Sequence, residues 1–228
     1  EIASCLVGSE MCIRDRLRTP LAVVRSGLES VEKCSNEEER NHFLHLMSEE
    51  TVHMKRLIDD MLLLANSDAD TLTIKPEACQ PDLLLLDTYE KFETLAKKNG
   101  LHLILTLPEE ILPDCFCDIH RTEQIFSIIV DNALCYTPSG GKVTLSCHAE
   151  NEMLCFLFED TGCGISEEKK SHIFERFYRA DDAHTDREHF GLGLCIAKEL
   201  TEKQNGNIQV VDAPISGCCF MVQLPCVL

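Results

Sequence analysis

The sequence predicts an α+β chain: a helical hairpin first, then a sandwich of mixed strands and helices with the helices on one sheet face. Two observations carry this. Apolar residues recur at spacings of three and four through residues 17–65. Beyond a polar break at Asn66-Ser-Asp-Ala-Asp70, short apolar runs alternate with helical patterns.

The elements follow in order. Leu17, Leu21, Val24, Leu28 and Val31 form the seam of a helix that packs on other helices. Residues 37–65 repeat the pattern with Phe43, Met47, Met54, Leu57, Ile58, Met61 and Leu64. Ser35-Asn36 ahead of Glu37, Glu38 and Glu39 is a helix start, a capping side chain followed by acids at the positive end of the dipole. Two such helices cannot bury their stripe alone, so two copies are expected to pair into a four-helix bundle. The polar break sets a domain boundary, giving a hairpin over 17–68 and a second domain over 69–228. There, 72–75 is expected as a strand and 81–98 as a helix ending at Asn99-Gly100. Residues 101–107 and 116–118 read as strands, and 119–135 as a helix with Ile125, Phe126, Ile129 and Ala133 inward. Residues 142–148 and 154–159 read as a β-hairpin, 191–204 as a helix, and 207–211 and 219–224 as closing strands.

Bulk properties exclude several classes. A formal charge of -18 argues against nucleic-acid binding, which needs a basic surface. No apolar run approaches the ~20 residues that span a bilayer. The 14 cysteines include no CxxC and mostly sit singly in apolar segments, as Cys135, Cys147, Cys155 and Cys195 do. They read as small hydrophobes in a reduced, cytoplasmic setting. Neither a GxxxxGK[ST] loop nor the HRD and DFG pair of protein kinases is present.

Four stretches in the second domain carry chemistry. Asp160-Thr-Gly-Cys-Gly164-Ile follows an apolar strand; its glycines permit a tight turn and close ligand approach. The strand-end carboxylate can accept a hydrogen bond from an exocyclic amine. In Asn132-Ala-Leu-Cys-Tyr136-Thr, the asparagine offers an amide oxygen suited to a hard cation such as Mg²⁺. Gly191-Leu-Gly193-Leu precedes a helix, where backbone N–H groups and the helix dipole form an anion site. In Ile173-Phe-Glu-Arg-Phe-Tyr-Arg179, Phe174 and Phe177 would share one face of a short helix. Taken singly, each has a plainer reading: a hairpin turn, a helix-terminal polar residue, or core packing for Tyr136, Phe174 and Phe177.

In this order and spacing the four stretches resemble the N box, first glycine box, F box and second glycine box of the sensor histidine kinase catalytic domain. Leu17-Arg18-Thr19-Pro20-Leu21 resembles the end of that family's His-Glu-x-x-Thr-Pro box. The resemblance covers residues 17–228. It implies an α/β sandwich ATP-binding domain of the histidine-kinase (GHKL) type, a homodimer through the hairpin, and ATP and Mg²⁺ as cofactors. It also implies autophosphorylation on histidine, transfer to an aspartate of a response-regulator receiver domain, and a cytoplasmic portion of a membrane-anchored parent. By position, Asp160 would read the adenine amino group, with Gly162 and Gly164 shaping the turn. Asn132 would hold Mg²⁺ and Tyr136 would border the nucleotide. Gly191, Leu192, Gly193 and Leu194 would take the phosphates. Phe174 and Phe177 would anchor an ATP lid over Asp181–Arg187, with Arg176, Arg179 and Arg187 reaching the γ-phosphate. Thr19 would support water attack in the phosphatase direction, next to a bend at Pro20. Other ATPases of the superfamily lack the Leu-Arg-Thr-Pro-Leu helix and the F box.

The sequence also departs from the family pattern. Ile128 stands where another asparagine is usual, Cys135 where a base is common, and His189-Phe190 where the longer glycine pattern begins. Most consequentially, Asp15-Arg16 occupies the place of the histidine nucleophile and the acid that takes its proton. His42, His45 and His53 lie on the second helix and are expected on its solvated surface. The chain as written is therefore expected to bind Mg-ATP without phosphorylating itself. Residues 6–16 resemble a conceptual translation of sequencing-adapter DNA, so residues 1–16 are expected to be a non-native or truncated segment. The alternative is a genuine nucleotide-binding scaffold, a pseudokinase that dimerises or docks a regulator.

Overall fold

The structure, a computed structural model, describes residues 2–34, 36–179 and 190–227, with side chains described from residue 17 onward. One compact unit ends its main run at Asp68 and a second begins at Ala69. Among the described residues, no helix is long and apolar enough to cross a membrane.

The helical unit is a hairpin of α1 (Ile2–Val31) and α2 (Glu37–Asp68). Asn36 caps α2, its amide oxygen accepting the Glu39 N–H at 2.7 Å ahead of an acidic first turn. The helices touch at Gly27, where an added Cβ would stand 2.6 Å from Met47 Cγ. Met47, Leu57, Leu63 and Leu64 are buried along α2. Of the expected seam, Leu21, Leu28 and Ile58 stay exposed, together with Leu44, Val52 and Leu62. Pro20 lies inside α1 and is buried. Helix α2 continues through the first residues of the polar break, and the chain turns at Asp70, φ 54°.

The second unit runs β1 (Glu77–Cys79), α3 (Pro81–Lys98), β2 (His102–Thr106), β3 (Cys115–Cys117), α4 (Ile119–Tyr136), β4 (Lys142–Glu150), β5 (Met153–Asp160), α5 (Glu167–Lys170), α6 (Gly193–Glu202), β6 (Asn207–Asp212) and β7 (Cys218–Pro225). Five strands form one sheet in the order β2-β4-β5-β7-β6, parallel between β2 and β4 and antiparallel elsewhere. β1 and β3 form a separate two-stranded antiparallel ribbon. Helices α3, α4 and α6 cover the sheet, with α4 in the middle. Strand alternation sends Val143, Leu145 and Cys147 of β4, Phe156 and Phe158 of β5, and Phe220, Val222 and Leu224 of β7 into the core. From α4, the Phe126 ring meets Phe156 and Phe158 at centroid distances of 4.8 and 5.0 Å.

Residues 72–75, expected as a strand, do not form one; the first strand lies at 77–79. The Lys75 N–H donates to the Asp118 carboxylate at 2.9 Å, and Pro76 has no N–H to give. That carboxylate also caps α4, accepting from Arg121 N at 3.1 Å.

Candidate functional site

The site begins with the pleat of β5. Leu154, Phe156, Phe158 and Asp160 alternate onto one buried face, so the strand ends with a carboxylate where its pattern places hydrocarbon. Asp160 is 4% exposed. Its Oδ1 accepts from Gly162 N at 2.8 Å and Cys218 N at 3.4 Å. Its Oδ2 accepts from the Cys218 thiol at 2.9 Å. Burial, and then the carboxylate itself, push the Cys218 thiol above its ordinary range, so it remains a protonated donor. A thiol is a weak donor, which leaves Oδ2 the oxygen with capacity for a ligand amine.

Glycines crowd this carboxylate. A Cβ on Gly162 would lie 2.5 Å from the Tyr136 carbonyl oxygen and 2.8 Å from Asp160 Oδ1. One on Gly217 (φ +85°) would lie 2.2 Å from the Asp160 carbonyl oxygen and 2.5 Å from Oδ1. Gly164 sits beyond, with Gly217 O at 3.4 Å from its would-be Cβ. Sequence reasoning missed Gly217; its one signal was a glycine just before a strand.

Along α4, Ile128, Asn132 and Tyr136 recur every fourth residue and so share a face. The Asn132 amide nitrogen donates to the Ile128 carbonyl at 2.9 Å, so the side chain can offer a cation only its amide oxygen. At one end of this face, Ile128 Cγ2 lies 3.1 Å from where a Cβ on Gly193 would stand. At the other, the Tyr136 carbonyl abuts Gly162, and the Tyr136 side chain is 38% exposed. The residues present fit a Mg²⁺ contact through one protein oxygen, the remaining positions falling to phosphate and water. One turn earlier on this face, Ile128 offers hydrocarbon and no ligand.

Helix α6 starts at Gly193 with no capping side chain from Leu192. Its first intrahelical bond is Ile196 N to Leu192 O at 3.0 Å, so the N–H groups of Gly193 and Leu194 precede the ladder and can face an anion. Leu192 is buried and Leu194 half-buried.

The F-box phenylalanines do not share a helix face. Helix α5 ends at Lys170, and Phe177 takes φ 64° while its N–H donates to the Gly191 carbonyl at 2.8 Å. Gly191 is itself left-handed, φ +75°, and a Cβ there would meet Tyr178 O at 2.8 Å. Phe174 packs edge-on against Phe220 at 6.4 Å, with Lys198 Nζ 6.0 Å above its ring. Arg176 approaches Glu199 at 3.9 Å, and Arg179 is half-buried. Residues 181–187, Arg187 among them, and His189 lie outside the described residues.

In the helical unit, Thr19 is exposed on α1. The backbones of Asp15 and Arg16 lie on the same helix. His42 and His45 are exposed, but His53 is only 17% exposed, beside Glu50 at 3.7 Å, and so departs from the expected solvated position.

Residues 117–228 match the family described as histidine kinase-, DNA gyrase B-, and HSP90-like ATPase, and residues 13–70 match the His Kinase A (phospho-acceptor) domain. The adaptive-response sensory kinase SasA of Rippkaea orientalis is 30% identical over 217 residues, 92% of this chain and 55% of its own length. The chain thus spans about half of that curated relative. Full-length ShkA in complex with AMPPNP shares the fold with a TM-score of 0.74 and 23% identity, over 96% of this chain and 46% of that one. Histidine kinase ThkA in complex with response regulator protein TrrA does so with a TM-score of 0.78 and 18% identity, over 100% of this chain and 64% of that one. A match to the phospho-acceptor domain family ahead of a match to the ATPase family, and the likeness to a sensory kinase over 92% of the chain, make this chain a member of the sensor histidine kinases.

Proposed function

We propose that the chain is the dimerisation and catalytic portion of an ATP-dependent protein-histidine kinase of a two-component system, with the hairpin over 17–68 and the ATP-binding domain over 69–228. The observation that carries this is the α4 face bearing Asn132, which runs from the turn at Gly193 to the turn at Gly162 and Asp160. Adenine would meet Asp160 Oδ2 within the turn shaped by Gly162, Gly164 and Gly217. The phosphates would lie along α4 toward the open N–H groups of Gly193 and Leu194, with Gly191 and Leu192 completing that turn and Tyr136 bordering the base. Asn132 would offer its amide oxygen to Mg²⁺, which when bound supplies charge neutralisation for phosphoryl transfer. Phe174 and the Phe177–Gly191 contact anchor the two ends of the lid segment, and Arg176 and Arg179 stand at its start. The chain's task is positioning and electrostatics, because phosphoryl transfer asks little covalent chemistry of the protein.

The nucleophile belongs to α1. An imidazole at position 15 with an acid beside it would accept the γ-phosphoryl group and pass it to a receiver-domain aspartate, and Thr19 would aid the reverse hydrolysis. The partner class is supported by ThkA having been solved with a response regulator, and the nucleotide class by ShkA having been solved with AMPPNP. Homodimerisation is supported by the apolar residues that one hairpin leaves exposed, Leu21, Leu28, Ile58 and Leu62.

The test is autophosphorylation with radiolabelled ATP on this chain and on the Asp15→His, Arg16→Glu double variant. Acid-labile, base-stable label on the double variant alone is expected. Absence of label from both, with ATP binding shown separately, would instead establish the scaffold reading. That reading is favoured by one observation, the hydrocarbon of Ile128 against the Gly193 turn.

A further inference from the structure

The β1–β3 ribbon lies outside the nucleotide site, yet it gathers three thiols. Its antiparallel register sets Cys79 directly opposite Cys115, with Cys117 two residues on and on the same face. The three sulfurs all lie within 4.8 Å of one another, and Cys79 Sγ is 3.4 Å from Cys117 Sγ. Cys115 and Cys117 are fully buried, while Cys79 is half-buried and leaves a way in. Thiolates bound to one zinc at about 2.3 Å stand roughly 3.8–4.0 Å apart, so the cluster needs only a small adjustment to close on an ion. Among the described residues no histidine or carboxylate joins the three, so any further position falls to an external ligand. The soft donor set selects thiophilic d¹⁰ cations over Mg²⁺. Cys117 also stands just ahead of α4, whose positive end favours a thiolate.

We propose that Cys79, Cys115 and Cys117 form a binding site for a single thiophilic metal ion, with Zn²⁺ as the probe. Each thiol that binds gives up its proton to solvent, so binding releases up to three protons per ion. The ion would tie β1 to β3, two strands of three residues each, at the entrance to the helix that carries Asn132. The proposal stands independently of the nucleotide reading.

The experiment uses the full chain, reduced and metal-free. Zn²⁺ is titrated in competition with a chromophoric chelator against wild type, Cys79→Ser and, as a control for the other thiols, Cys34→Ser. Cysteine alkylation with and without Zn²⁺ is mapped by mass spectrometry, and melting temperature is followed alongside. Wild type and Cys34→Ser should bind one tight equivalent that raises the melting temperature and protects Cys79, Cys115 and Cys117 together. Cys79→Ser should lose more than the about 10–100-fold in affinity that follows from changing a residue behind a metal ligand. Because Cys79 is half-buried at a ribbon position, its serine variant should keep its unliganded melting temperature, which checks folding. Unchanged affinity in Cys79→Ser, or protection falling on other cysteines, would overturn the proposal.

Discussion

Replacing Asp160 by asparagine isolates one atom of the candidate adenine contact. Oδ1 already accepts two backbone N–H groups, from Gly162 and Cys218, and an amide oxygen in its place keeps both. The amide nitrogen then takes the place of Oδ2, turning an acceptor into a donor. A hydrogen bond to a charged group contributes about 1.5–3 kcal/mol, and more than 95% of Asp160 is removed from water. The dissociation constant for ATP should therefore rise about 10- to 150-fold. A purine nucleotide with an oxygen at C6, such as ITP, offers an acceptor to the new donor and should lose nothing or bind better. Titration calorimetry with ATP and ITP on both proteins measures this, and thermal melting monitored by circular dichroism checks that the fold survives. Equal losses for the two nucleotides, or none for ATP, would show that Asp160 Oδ2 does not read the base.

Two further perturbations test the scaffold. Gly191 and Gly140 are both left-handed, at φ +75° and +85°, but only Gly191 is crowded. Gly140→Ala should cost only the ~1–2 kcal/mol of the backbone conformation, whereas Gly191→Ala should add about 1–3 kcal/mol for the contact with Tyr178 O; equal losses in chemical denaturation would contradict the crowding. Burial, and then Asp59, raise Asp60 to about 6 from 3.8, against the pull of Arg56. A carboxyl raised on folding stabilises the protein fully below its unfolded value, and that contribution fades as pH climbs through the folded value. Relative to Asp60→Asn, wild type should thus lose stability between about pH 4 and 6. Parallel denaturation profiles for the two proteins across that window would rule this out.

Local periodicity made much of the fold legible. The inward residues of α4, Ile125, Phe126, Ile129 and Ala133, follow from spacing alone, and the β4–β5 hairpin from its alternation. The same alternation puts Asp160 on the buried face. Where local pattern failed, a distant partner was responsible. Residues 72–75 have strand-like composition, but Asp118, far along the chain, takes the Lys75 N–H. Phe177 leaves helical geometry because Gly191 accepts its N–H. Gly217 matters only because β7 lies beside β5, and the thiol cluster exists only because β1 pairs with β3. None of these pairings leaves a period in the sequence. The hairpin seam was legible in number but not in outcome, since one chain cannot cover Leu21 and Leu28.

The bond from the Phe177 N–H to the Gly191 carbonyl has a consequence for how this protein can vary. It holds residues 177 and 191 side by side on the scaffold, whatever the length of chain between them. Closure entropy grows only slowly with the length of chain between two held ends, by about 0.6 kcal/mol per doubling. Insertions, exchanges or a grafted reporter there should leave the sheet and α4 intact.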